Sequence, residues 1–119
     1  MDPHFIIALF HILFVVPFFF YIFYNRSATP DYIYNILFFV GLFVLVYHIY
    51  KTVVKLSLGS KSLWVNIIHV LFVAPLMIYI GYEAKKTPRA GYELLGLITF
   101  AALGYHLYNT IMMLNVVHD

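Results

Sequence analysis

Two stretches decide how this chain is read: HILFVVPFFFYIFY at residues 11–24 and HVLFVAPLMIYIGY at residues 69–82. Each opens on a histidine, carries a proline six residues on, and is otherwise almost wholly apolar. A run of this character belongs in lipid, where an ionisable side chain is expensive and by default marks function. A histidine kept twice at the same place therefore needs a reason.

The rest of the composition agrees with a membrane setting. Of the 119 residues 64% are hydrophobic and 10% charged, more apolar than a soluble domain can cover with polar surface. Apolar runs over about Pro3–Tyr24, Tyr32–Leu56, Lys61–Tyr82 and Ala90–Val117 each hold the roughly 20 helical residues that cross a hydrocarbon core. The connectors NRSATPD, LGSKS and EAKKTPR hold the turn residues and most of the charge, and links so short demand antiparallel neighbours. The expected fold is an all-α, four-transmembrane-helix up-down bundle, a single transmembrane domain over residues 1–119 with both termini on one side of the bilayer. The first run follows MDPHF, with no basic region before it and no small-residue cleavage site after it, and is read as a retained span and not a signal peptide.

Shifting the chain by 58 aligns residues 11–56 with 69–114 without a gap, and 18 of the 46 positions are identical. The chain is thus a duplication, with repeat 1 over about 3–56 and repeat 2 over about 61–114. Each repeat is a helical hairpin with an even number of crossings, so the two tandem hairpins are expected to share a pseudo-twofold axis along the membrane normal. On the second helix of each hairpin, Tyr34, Leu37, Leu45, His48, Thr52 and Leu56 recur as Tyr92, Leu95, Leu103, His106, Thr110 and Leu114. At 100° per residue these fall in a stripe roughly 100° wide, which predicts an inward face.

Counting along the helices, His11, His48, His69 and His106 each lie eight residues, about 12 Å, from the same end of their helix. Burial keeps such imidazoles neutral, the state that ligates metal. Histidine-only coordination suits haem iron, copper or zinc, and no carboxylates are at hand for a di-iron centre. Haem b also finds candidate axial pairs related by the twofold, His11 with His69 or His48 with His106. Small residues precede His106 at Ala101, Ala102 and Gly104, and Lys51 and Lys55 follow His48 as candidate propionate partners. In the second repeat the two lysines become Asn109 and Met113, and in the first the small residues are Phe43, Val44 and Val46, so one site is expected and not a symmetric two.

Three functions therefore stand side by side. The histidine layer could bind haem b or a transition metal for electron transfer or metal handling. The histidines could instead be interhelical hydrogen-bond clasps, to Thr52, Thr110 or a tyrosine, in a structural or assembly protein. They could also line a proton or ion path. The chain shows no nucleophile system, phosphate-binding glycine loop or paired carboxylates, so hydrolytic or phosphoryl-transfer catalysis is not expected and any enzyme activity would be redox. Absent cysteines exclude thiolate metal sites and covalent c-type haem, and a dispersed net charge of +2 offers nothing for nucleic acid. The expected partners are the lipid bilayer and, left open, a second copy or another membrane protein.

Pro17 and Pro75 fall inside helices, where proline removes an N–H and crowds the carbonyl four residues back, at Leu13 and Leu71; a shared kink is expected. The Thr-Pro pairs at 29–30 and 87–88 are read as turns just ahead of helix starts.

Overall fold

The structure is a computed structural model that describes residues 3–118, with side chains through residue 115. Four helices account for nearly all of it: α1 (Pro3–Ala28), α2 (Asp31–Leu58), α3 (Leu63–Lys86) and α4 (Arg89–His118). All four are long and apolar enough to cross a membrane.

α1 and α3 are built alike, and not as uninterrupted α-helices. α1 is α-helical over Pro3–Phe10, widens to a π turn over His11–Val15, and resumes as α-helix over Val16–Asn25. α3 repeats this as Leu63–Ile68, a π turn over His69–Val73, and Ala74–Glu83. In each π turn an N–H reaches five residues back, Val16 to the His11 carbonyl and Ala74 to the His69 carbonyl. Pro17 and Pro75 then stand in the opening turn of the resumed α-helix, directly after the π turn, and contribute no N–H to it. The expected conflict with the carbonyl four residues back is met by one extra residue in the preceding turn, a π-bulge of the kind at which helices bend.

Both helices close with the same backbone. Arg26 (φ 48°, ψ −123°) and Ala84 (φ 53°, ψ −125°) donate their N–H to the Ile22 and Ile80 carbonyls and begin short 3-10 turns. The Thr-Pro turns follow as expected: Ile33 N–H donates to the Pro30 carbonyl at 3.1 Å, and Gly91 N–H to the Pro88 carbonyl at 2.9 Å. α2 ends because Gly59 takes the left-handed conformation, φ 64°, which lets the Gly59 and Ser60 N–H groups both return to the Lys55 carbonyl.

The helices gather into two compact units, and these are not the two repeats. One unit holds residues 1–26 with 92–119, that is α1 with α4; the other, residues 27–91, holds α2, α3 and the turns around them. Each unit thus joins one helix of the first repeat with one of the second.

In the α2–α3 unit, Gly41 lies against Met77 and Ile78, and Gly81 against Phe38, so the helices run antiparallel. A Cβ on Gly81 would sit 2.6 Å from the Phe38 nitrogen, closer than atoms pack, so the two backbones touch there through the missing side chain. Tyr34, Leu37, Ala74, Met77 and Ile80 fill the core around this contact.

In the α1–α4 unit, the Phe23 ring lies over Gly96, Phe20 and Phe23 meet Phe100 edge-on, and His11 meets His106, again antiparallel. Val16, Phe19, Ile22, Tyr92, Leu95 and Thr99 are buried. The 58-residue shift carries Phe23 onto Gly81 and Gly96 onto Phe38. Each unit thus keeps one phenylalanine against one glycine at the corresponding contact, with the two residues exchanged between helices.

The expected inward stripe holds over most of its length, with Thr110 buried and Leu45, His48, Thr52, Leu103 and His106 half-buried. Tyr34, Leu37, Tyr92 and Leu95 are buried, while Leu56 and Leu114 at its far end are 63% and 42% exposed and face outward.

Candidate functional site

The four histidines form two stacked pairs. His11 lies on His106 with ring centroids 4.2 Å apart and planes 22° from parallel, and His48 lies on His69 at 4.1 Å and 13°. The shift of 58 turns one pair into the other, so the duplication keeps the pair as well as the residues. It is not the pairing expected for axial ligation, which set His11 with His69 and His48 with His106. Iron between two imidazoles needs both Nε2 atoms aimed at it from opposite sides, about 2 Å away on each. Rings lying face to face at 4.1–4.2 Å do not offer that arrangement within a pair. Among the described residues, no group of three or more His, Cys, Asp or Glu side chains comes together that could hold a metal ion.

What positions the rings is local. His11 Nδ1 is 2.8 Å from the Ile7 carbonyl and His69 Nδ1 is 2.7 Å from the Val65 carbonyl, one helical turn back in each case. A carbonyl only accepts, so Nδ1 carries the proton and donates, and in the neutral ring Nε2 carries the lone pair. Both histidines also open the π turns, so each ring is fixed by the turn before it while its own carbonyl serves the widened turn after it.

His48 is held differently, from across the interface. The Asn66 amide nitrogen lies 2.8 Å from His48 Nδ1 and donates to it, which ties α3 to α2 directly. Asn66 is 3% exposed, and its Oδ1 is buried without a hydrogen-bond partner. The equivalent residue in the first repeat is Ala8, equally buried at 2%, so this polar contact belongs to the α2–α3 pair alone.

The threonines expected to bond the rings bond backbone instead. Thr52 donates to the His48 carbonyl at 2.6 Å and Thr110 to the His106 carbonyl at 2.8 Å. Each hydroxyl is satisfied within its own helix, as is usual for threonine in lipid. Tyr47 and Tyr105 set their rings edge-on to the histidine that follows, at 5.1 Å in both cases.

Of the residues expected around a macrocycle, Gly104 faces open space and Ala101 is exposed. Lys55 turns to the connector, where its ammonium donates to Ser62 Oγ at 2.9 Å, and Lys51 is half-buried one turn before it. The residue that reading by histidines passed over is Asn66. The signal was available, since LWVNIIHV sets an amide three residues before His69 inside an apolar run.

Comparison with protein-family models, with curated proteins and with solved structures finds no match for this chain.

Proposed function

We propose that this chain is a small multi-pass membrane protein with a structural or assembly role, in which the histidines clasp helices together. The observation that carries the reading is the pairing itself: two His–His stacks, each joining two helices, equivalent under the internal repeat. Aromatic stacking is worth about 0.5–1.5 kcal/mol beyond area burial, and polar contacts between membrane helices average about 0.6 kcal/mol. These are the magnitudes of a device that selects helix partners and register, where lipid supplies no hydrophobic drive between helices. Asn66 adds a second cross-helix contact to one of the two pairs.

The test is the stability of helix association in the purified protein. His48→Leu and His106→Leu should each lower it by about 1 kcal/mol, read by unfolding in mixed micelles, with the preparation colourless and metal-free before and after. A Soret band or stoichiometric copper or zinc in the parent protein, lost in either variant, would overturn the clasp as the main role.

One observation favours a second reading. Donation of Nδ1–H to a backbone carbonyl at His11 and His69 is the arrangement that prepares Nε2 as a ligand, and it supports haem b or a transition metal as cargo of these two rings. Titration of the apoprotein with haem, followed at the Soret band in parent and His69→Leu, separates the two readings.

A further inference from the structure

Away from the histidines, the α2–α3 pair carries an unusual charge pattern at the end bearing its connector. From Tyr32 to Tyr82 the sequence contains Lys51, Lys55 and Lys61 and no aspartate or glutamate. The connector organises part of this charge. Lys55 Nζ donates to Ser62 Oγ at 2.9 Å, Ser62 Oγ and Ser60 Oγ are 3.1 Å apart, and the Ser62 N–H donates to Ser60 Oγ at 3.3 Å. An ammonium and two hydroxyls are thus gathered at the turn, with Lys61 exposed between the serines and Trp64 exposed at the start of α3. Lys51, deeper on α2, has the reach to bring its ammonium toward the same interface along its aliphatic stem.

One to two turns further into the membrane, Ile49, Thr52, Val53, Ile67, Val70 and Leu71 of the same two helices line an open-sided cavity of about 290 Å³. Its α2 lining lies five to nine residues before Leu58, and its α3 lining four to eight after Leu63. At 1.5 Å per residue that is about 6–14 Å below the connector. Thr52, its one polar side chain, has its hydroxyl committed to the His48 carbonyl.

An occupant that answers both features is negative at its head and apolar a turn or two below it. We propose that the connector end of α2–α3 binds an anionic phospholipid, with the phosphate on Lys55, Lys61 and the Ser60 and Ser62 hydroxyls and one acyl chain in the cavity beneath. Basic residues beside a membrane span attract anionic headgroups by charge, and the serine hydroxyls add donors for the phosphate oxygens. The second repeat lacks the counterpart of Lys55, since Met113 stands in its place, so the site belongs to α2–α3 and not to the duplication.

The test uses the full chain in detergent, with phosphatidylglycerol or phosphatidylcholine added and retention read by native mass spectrometry. Phosphatidylglycerol should be retained in preference, with each of Lys55→Gln and Lys61→Gln cutting the preference about fivefold. The Lys→Arg changes at the same positions should keep it, which controls for folding. Val70→Trp, which fills the cavity, should lower retention of both lipids at unchanged helicity. Equal retention of the two lipids by the parent protein overturns the proposal. So does an equal loss of preference when Lys85, Lys86 and Arg89 at the opposite end are neutralised, because that is a general charge effect. Displacement of the lipid by inorganic phosphate alone would assign the connector to a free anion and sink the lipid assignment.

Discussion

Arg26 and Ala84 occupy a backbone region, φ near +50° and ψ near −125°, that is the first position of a type II′ turn and belongs to glycine. A side chain there costs about 1–3 kcal/mol. Ala84→Gly should therefore stabilise the protein by about 1 kcal/mol, measured as a shift in the unfolding midpoint. Arg26→Gly should gain less, because Arg26 also sets its guanidinium 5.4 Å over the Phe23 ring, a contact worth about 0.5–1 kcal/mol when exposed. Asn66 presents the opposite balance. Its bond to His48 favours the α2–α3 pair, while its buried, unpartnered Oδ1 opposes it. Asn66→Ala should cost no more than about 1 kcal/mol, and Ala8 shows that alanine fits the equivalent buried position. The histidine types and their spacing were plain in the sequence. Which nitrogen each ring presents was not, because that depends on the carbonyl or amide lying beside it.

At the scale of the helix, the proline and the histidine of each copy work as one element. The π turn starts at His11 or His69 and ends just before the resumed helix that holds Pro17 or Pro75. Restoring an N–H with Pro75→Ala removes the reason for the extra residue. The π turn should then close to α-helix, turn the His69 face by about 100° relative to Ala74–Glu83, and break the stack on His48. Imidazole nitrogen chemical shifts of His48 and His69 would report it, and unchanged shifts would refute the coupling. The helix contacts give a sharper contrast between glycines. Gly81→Ala places a carbon against the Phe38 backbone and should cost about 1–3 kcal/mol as overpacking, whereas Gly104→Ala meets nothing within 4 Å and should be neutral or stabilising. Proline positions and the Thr-Pro helix starts were legible because each is a local constraint. The π turn was not, since proline states only that one bond is missing and leaves open where the chain takes up the slack.

Across the whole molecule the duplication is expressed in pairs that cross the repeat boundary, α1 with α4 and α2 with α3. The chain has no cysteine, so Phe20→Cys with Phe100→Cys introduces a lone thiol pair at a ring contact of the α1–α4 unit. A short bifunctional thiol reagent should cross-link it within one chain, and failure to cross-link in a folded preparation would break the assigned pairing. The sequence by itself determined the number of helices, their length, their apolar character and the twofold repeat. It did so because crossing a membrane needs about 20 apolar residues and a gapless repeat is visible without any contact. It also marked the buried stripe over most of its length, with Tyr34, Leu37, Tyr92, Leu95 and Thr110, through helical periodicity. Which helix packs on which was decided only by the tertiary structure. Lipid tails are as apolar as the side chains, so hydrophobicity does not choose partners; close fit does, and the exchange of phenylalanine and glycine between Phe23–Gly96 and Phe38–Gly81 becomes visible only once the helices are side by side.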